Sequence, residues 1–362
     1  MVERSSDFEW RGEGEAAEVV IFAPDARIAS TAFERALPAA RLPGVESPVY
    51  AAAVPGDFGA VATSSSHASP DLCSVPARGL LLVADVSLGD IGFPPEEVPR
   101  LFRRNLSEVR PPALTTAGAR RLCEAGAHAA AEDGFIEEED LAFFGPASGA
   151  DADALTRRAL SAGPRDWDLP GQVRACVVGE VLDAAGAEAL GLGTGTFVIV
   201  ADAGAGDLGR LALSGHRERI AILSEDFEAG EGPLSAPAGT EEASDLLVAV
   251  GAAANFADAR TALLLYALRR ALGDVAGNLT ARAAWRVGGV ETRGDSYVHR
   301  NNFAAAAGGE VIVSGGIVVA ATGKMSGSVP PFDAPEVDGE RPWEEAGLLE
   351  RWAELHPPEG KS

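Results

Sequence analysis

The segment with the clearest chemical potential is 297–303, where one histidine stands beside a guanidinium and two amides. A neutral imidazole can accept a phosphoryl or nucleotidyl group, and the phosphoramidate that it forms stays reactive. His299 is therefore the candidate nucleophile, and Arg300 could hold a transferred phosphate through two parallel hydrogen bonds. Asn301 and Asn302 follow directly and are candidate cofactor contacts.

Apolar runs that end in aspartate predict further polar groups at the edge of a sheet. Branched and leucine-rich runs predict buried strands at 19–22, 80–85 and 197–202. The second and third runs end in Asp85 and Asp202, at the carboxyl end of a strand, where α/β folds usually place their chemistry. Both are candidate catalytic residues, and a capping or turn role is the alternative for each.

A glycine-rich segment at 203–209 follows the third predicted strand. Its backbone N–H groups could cradle a phosphate. The glycine spacing matches neither the dinucleotide-binding fingerprint nor the P-loop, so the segment alone does not identify a ligand.

Helical periodicity is strongest in the second half of the chain. Apolar spacing predicts helices at 94–104, 116–132 with a threonine N-cap and 151–161, and one long helix or two helices at 241–272. The acidic run at 133–140 and the small-residue loop after it predict a solvated excursion at 133–170. We expect one large domain over 1–335 and a proline-rich tail with a short helix over 336–362.

The amino-acid composition limits which class of protein this chain can belong to and which partners it can bind. A chain of 362 residues with 46% hydrophobic content can bury a large core. The formal charge of −24, from 30 basic and 54 acidic residues, repels phosphate backbones and disfavours nucleic acid as a partner. Adaptation for solubility is the alternative reason for this acidity.

Cysteine usage and hydropathy predict a cytoplasmic location. Cys73, Cys123 and Cys176 are widely spaced, form no CxxC pattern and leave one over from any pairing, as expected in a reducing compartment. The sequence starts without an apolar signal region, and its apolar runs look too short to span a bilayer. We therefore expect no membrane partner.

Six segments resemble, in order, the RtcB family of RNA-splicing ligases, and the likeness extends over most of the chain. They lie at 23–26, 84–89, 138–144, 252–257, 274–278 and 298–300. The Ala-Ala-Asn-Phe-Ala helix and the Val-His-Arg strand are the most specific pair. The resemblance implies an α+β fold, a single large domain with mixed or antiparallel sheets and surrounding helices.

The family joins a 3′-phosphate or cyclic phosphate to a 5′-hydroxyl, using GTP and manganese. The resemblance implies that His299 occupies the position of the histidine that becomes guanylylated. Asn255 and Asn278 lie inside two of the resembling segments and complete the candidate cofactor-binding set.

The positions that the resemblance assigns to metal ligands have mostly lost their donor atoms. Asp85 is retained, Asp202 stands in place of a histidine, and the other positions hold Arg27, Leu88, Arg174 and Gly277. Leucine and glycine donate nothing, and arginine repels a cation. We therefore expect no resident metal, and GTP and manganese only if the family reaction is retained.

Three functions follow from this pattern. One is a working RNA 3′-phosphate and 5′-hydroxyl ligase that uses His299. The second is a pseudoenzyme that binds a protein partner or an RNA end. The third is an enzyme on an anionic small molecule, with Arg27, Arg174 and His216 as candidate substrate contacts and arginines replacing the charge of the ion. We predict loss of ligation, leave the second and third open, and regard self-association as possible.

Overall fold

The structure is a computed structural model that describes most of the first 320 residues. The described residues are 2–5, 9–23, 25–54, 57–87, 90, 104, 108–144, 147–167, 173–180, 196–223, 232–306, 309–314 and 317–320. Apart from Arg104, the predicted helix at 94–104 lies outside these ranges. The predicted tail at 336–362 and Leu88 also lie outside them.

Fourteen strands occur in the described part of the chain. Their bounds are β1 Val2–Arg4, β2 Glu9–Glu13, β3 Glu18–Phe22, β4 Val45–Val54, β5 Asp57–Ser64, β6 His67–Ala68, β7 Ala77–Ser87, β8 Val173–Glu180, β9 Thr196–Gly204, β10 Ala236–Pro237, β11 Leu279–Arg293, β12 Ser296–Ala306, β13 Gly309–Ser314 and β14 Ile317–Ala320. The three strands predicted from the sequence correspond to β3, β7 and β9 and are confirmed.

One large mixed sheet forms the frame of the molecule. Its strand order is β1-β2-β3-β4-β5-β12-β11-β7-β9-β8, with β13 and β14 continuing from β12, and β6 pairs separately with β10. The β3–β4 pair is parallel, and the other pairs of the described strands are antiparallel. Together with the helices, this sheet confirms the predicted α+β class.

Six α-helices of the described residues pack on this frame. Their bounds are α1 Ala26–Ala36, α2 Thr116–Ala125, α3 Ala127–Glu132, α4 Arg157–Asp166, α5 Gly206–Leu223 and α6 Glu241–Ala276. Short 3₁₀ helices occupy Ala39–Arg41, Glu138–Phe143 and Ala152–Ala154. The predicted threonine N-cap is Thr115, whose side chain accepts from the Gly118 N–H. The helix predicted at 116–132 is instead two helices, because Gly126 breaks it with φ of 59°.

The long helix α6 is the central element of the core. Thr240 caps its start by accepting from the Ala243 N–H at 3.3 Å, and it ends before Gly277, which has φ of 63°. The predicted helix at 241–272 is thus confirmed. By length and composition α6 could cross a membrane, but 83% of its most apolar window is buried in this structure. It packs on β7, β9 and β11 and against α2, α3 and α5.

The predicted solvated excursion at 133–170 is wrong for the residues described there. Ile136, Phe144, Leu155 and Trp167 are buried and belong to the main hydrophobic cluster. The acidic run also turns inward, because Asp140 accepts two hydrogen bonds from Arg269 of α6, at 2.6 and 2.9 Å. Much of this segment is therefore part of the core, although most of its acidic side chains are exposed.

Candidate functional site

The structure does not bring the predicted catalytic residues into one cleft. On β11, Leu279 pairs with Ala84, which precedes Asp85, whereas Val290 pairs with His299. Those two β11 positions are 11 residues apart, so at about 3.3 Å per residue they are separated by roughly 36 Å along the strand. A shared catalytic role of His299 and Asp85 has no geometric support.

Asp85 and Asp202 are also apart. Asp202 of β9 pairs with Gly79 of β7, six residues before Asp85, a separation of roughly 20 Å along the strand. Two carboxylates at that distance cannot ligate one cation, because metal–oxygen bonds are about 2.0–2.6 Å long. Asp202 instead neighbours Arg174, which lies at an irregularity of β8 between Val173 and Ala175.

Arg27 and Arg174 lie in different parts of the sheet. Arg27 is an exposed residue of α1, which packs on β3 and β4, whereas Arg174 is on the edge strand β8 at the opposite end. The expectation that two arginines replace a single lost ion is therefore not supported by their placement.

One pair of the resembling segments does meet in space. The Asp85 N–H donates to the carbonyl of Asn278 at 3.1 Å. A Cβ built on Gly277 would lie 3.5 Å from the Cβ of Asp85. Two positions that the resemblance assigns to metal ligands are thus adjacent, and the glycine supplies no donor atom. Asp85 and Asn278 are exposed.

His299 is fully buried, and both of its ring nitrogens are engaged. Its Nε2 accepts from the Ser69 N–H at 2.9 Å, so Nδ1 carries the proton and faces the Ala62 carbonyl at 3.3 Å. Burial lowers the pKa of His299 to about 4; the bond to Ala62 opposes that change and the charge of Arg300 adds to it. The imidazole is therefore neutral at pH 7, but its lone pair is occupied, whereas a nucleophile needs that pair free.

Asn255 serves the packing of helices and loops. Its side-chain amide donates to the carbonyls of Cys123 and Glu124 at the end of α2, at 2.9 and 3.2 Å. Its side-chain oxygen accepts from the Ser148 N–H at 3.0 Å, and the residue is fully buried. These backbone contacts use both amide hydrogens, which leaves none for the cofactor that the sequence predicted.

The remaining predicted residues occupy local structural positions. Asn301 pairs with Ala60 across β12 and β5. Asn302 has φ of 52°, and its N–H donates to Ser74 Oγ at 2.9 Å. His216 is a buried residue of α5 whose Nε2 faces the Ala154 carbonyl at 3.4 Å, and burial lowers its pKa.

The glycine-rich segment at 203–209 joins β9 to the start of α5, and its anion-binding groups are already used. The N–H of Leu208 donates to Asp166 Oδ2 at 2.7 Å, and the N–H of Asp207 also bonds this carboxylate. A carboxylate at a helix N-terminus satisfies N–H groups that would otherwise be available to a phosphate. The phosphate cradle predicted here is therefore filled by the protein itself.

A buried ionic cluster that the sequence reading missed lies between β7, α6 and β11. Arg78 donates to both oxygens of Asp258, at 2.8 and 3.0 Å, and Arg286 donates to Oδ2 at 2.8 Å. Burial raises the pKa of Asp258, but the charges and hydrogen bonds of the two arginines outweigh burial and lower it overall. Two guanidinium groups thus share one carboxylate.

Arg286 also lines a cavity of about 220 Å³ between α6 and β11. Arg300 and Glu291 line the same cavity and form an ion pair at 2.9 Å. The Arg300 side chain is only 3% exposed, whereas that of Glu291 is 40% exposed. Arg286 Nε is buried and has no hydrogen-bond partner among the described residues. We refer to this cavity, with Arg286 and Arg300 in its wall, as the arginine cavity.

Two consecutive glycines shape the arginine cavity. The ladder between β11 and β12 shifts register between Val287 and Gly289, and Gly288 and Gly289 have φ of 73° and 85°. A Cβ on Gly288 would lie 2.4 Å from Ser74 Oγ, so the bulge requires glycine there. Paired glycines inside a strand pattern and charged residues inside the apolar α6 were signals that could have indicated this site.

A second cavity of about 370 Å³ adjoins the start of α5 and is lined by Ser74, Arg210, Arg260 and Asn302, among others. Arg210 pairs with Asp207 at 3.0 Å. The charge of Arg260 acts on the carboxylate of Asp166. Arg260 also donates from Nη1 to the carbonyl of Gly204.

Within the described ranges, no group of three or more histidine, cysteine, aspartate or glutamate residues could hold a metal ion. No family profile matches this sequence, and no curated protein matches it significantly. The functional assignment therefore depends on the geometry of the chain itself.

Proposed function

We propose that this chain is an RtcB-like protein that binds a small organic anion in the arginine cavity and has lost the ligation reaction. The main observation behind this proposal is that Arg78 and Arg286 both donate to the one carboxylate of Asp258. Within the described residues, this cluster holds one more positive charge than negative charge, and Arg286 is at the cavity wall. A buried charge without a counter-charge is costly, so an anion that supplies one is bound favourably.

The polar atoms of the cavity support the same proposal. The Arg286 side chain is 26% exposed at the cavity wall, and its guanidinium can donate to an anion oxygen there. Hydrogen bonds between charged groups contribute about twice as much as neutral ones. Among the described residues that line the cavity there is no histidine or cysteine. We therefore propose binding as its function and assign no catalytic step to it.

The proposal that ligation has been lost is supported by three placements described above. His299 has no free lone pair, Asp85 lies beside a glycine at the position of a lost ligand, and the candidate residues are dispersed along the sheet. Incubation with radiolabelled GTP and manganese tests this directly. We expect no covalent label on the protein; a guanylate attached to His299 would show that ligation chemistry is retained.

Isothermal titration with small organic anions, both carboxylates and phosphate monoesters, tests the binding proposal. Arg286→Gln removes the charge and the donor, so we expect about 10- to 100-fold weaker binding. Arg210→Gln, in the wall of the second cavity, is the matched control and should bind as the wild type does. The proposal fails if no anion binds, or if both variants retain the affinity of the wild type.

A second variant separates binding from folding. Thr292 lines the arginine cavity and is exposed, so Thr292→Trp adds bulk there without removing a buried group. We expect an unchanged unfolding temperature and weakened anion binding. Unchanged binding in Thr292→Trp, together with unchanged binding in Arg286→Gln, would place the anion elsewhere.

A further inference from the structure

One side of the arginine cavity is lined by charged side chains, and much of the rest of its lining is apolar. The apolar part consists of Pro76, Leu247, Val248, Val250, Ala254 and Val290. Such surface is favourable for the aliphatic part of a ligand and unfavourable for a second polar group that would find no partner there.

The charge of the neighbouring cluster sets the charge of the ligand. Arg78, Arg286 and Asp258 sum to one positive charge. The carboxylate of Glu291 pairs with Arg300 at 2.9 Å and also lies 3.7 Å from Arg293, whose side chain is 61% exposed and screened by solvent. A ligand of charge −1 balances this arrangement. A phosphate monoester of charge −2 would leave one negative charge without a counter-charge, close to the carboxylate of Glu291.

The volume limits the length of the ligand. A cavity of about 220 Å³ has room for about seven water-sized groups, since a water molecule occupies about 30 Å³ of the liquid. A carboxylate group takes three of these positions and a chain of about four carbons takes the rest, so hexanoate fills the cavity and its terminal methyl group reaches the open side.

We infer that the ligand class of the arginine cavity is a short-chain aliphatic monocarboxylate, an inference that rests on the proposed anion-binding function. The carboxylate accepts from the guanidinium of Arg286, whose side chain is 26% exposed, and the chain lies against the apolar wall that α6 provides. Each methylene placed in this wall should improve the dissociation constant about fourfold until the cavity is full.

A matched ligand series tests this inference on the full-length protein by isothermal titration. The probes are butanoate, hexanoate and decanoate, together with butyl phosphate and the neutral butanamide. We expect tightening from butanoate to hexanoate, weaker binding of decanoate, and affinities of butyl phosphate and butanamide that are at least about tenfold below that of hexanoate. Arg286→Gln should lose most of the affinity for hexanoate, whereas Arg210→Gln should keep it.

The outcomes separate the two proposals. If butyl phosphate binds more tightly than hexanoate and still depends on Arg286, the monocarboxylate inference is overturned and the anion site stands. If butanamide binds as tightly as hexanoate, charge recognition is absent and both proposals are overturned. Both also fail if none of the probes binds, or if Arg286→Gln binds all of them as the wild type does.

Discussion

The buried carboxylate of Asp258 should be essential to the stability of the fold, and Asp258→Asn tests this. The residue is 3% exposed and accepts three hydrogen bonds from two guanidinium groups. The asparagine has the same size but no charge, so the buried Arg78 and the partly exposed Arg286 would both lose their counter-charge. Removing one member of a buried ion pair costs about 3–5 kcal/mol, a large part of a typical stability of about 5–15 kcal/mol.

Urea denaturation followed by tryptophan fluorescence measures this effect. We expect the unfolding midpoint of Asp258→Asn to fall by about 1 M or more. The matched acid-to-amide control is Glu132→Gln, because Glu132 is 71% exposed and pairs with Arg121 on the surface. An exposed pair of this kind contributes at most about 1 kcal/mol. Equal midpoint shifts in the two variants would refute the reasoning.

The same variant makes a pH prediction. The arginines lower the pKa of Asp258 in the folded state despite burial, below the value of about 3.9 for an unfolded chain. Its contribution to stability is therefore complete above that pH and is lost as the pH falls through the lowered folded-state pKa. We expect the difference between wild type and Asp258→Asn to be constant from pH 8 to 5 and to shrink in stronger acid.

Three further predictions concern single side chains. Because burial lowers the pKa of His299 to about 4, its NMR signal should not titrate between pH 8 and 5, and a midpoint near 6.5 would contradict its burial. The histidine of the unfolded chain protonates at a higher pH than His299 of the folded protein. His299 should therefore reduce the free energy of unfolding as the pH falls from about 6.5 toward 4. Asn255→Ala should lower the free energy of unfolding by about 2 kcal/mol or more, measured by thermal unfolding, because three backbone groups lose a hydrogen-bond partner. The control Asn278→Ala replaces an exposed side chain and should change this free energy by less than about 0.5 kcal/mol. Gly288→Ala should destabilise by more than Gly294→Ala, because both have positive φ but only the first Cβ meets another atom within 4 Å; equal unfolding temperatures would contradict the close approach of β11 to Ser74.

Several features set by local sequence were predicted correctly. The run of apolar residues at helical spacing identified α6, and the threonine before 116 identified an N-cap, because these signals act over a few residues. The strand-and-aspartate pattern likewise located β7 and β9. Each of these predictions needed only the periodicity of the backbone and the chemistry of a helix end.

Features set by distant partners could not be predicted from the sequence. The acidic run near Asp140 was interpreted as a solvated surface because its partner, Arg269, lies 129 residues away in the chain. Arg78 and Asp258 are 180 residues apart, and their pairing depends on α6 packing across β7. A charged residue in an apolar helix indicates a buried partner, but the sequence does not say which one.

The candidate site was misplaced for a related reason. The sequence reading grouped His299, Asp85 and Asp202 by their order along the chain and their chemical type. The sheet instead separates them. β11 and β7 are long strands, and the three residues lie beside positions that are far apart along these strands. Arg300 is the predicted residue that does line the arginine cavity.

The most direct test is a crystal structure of the full-length protein grown with hexanoate. We expect density in the arginine cavity, with a carboxylate oxygen within about 3.2 Å of a guanidinium nitrogen of Arg286 and the aliphatic chain against Leu247 and Val250. A cavity closed by protein side chains, or hexanoate bound only at another surface, would contradict it.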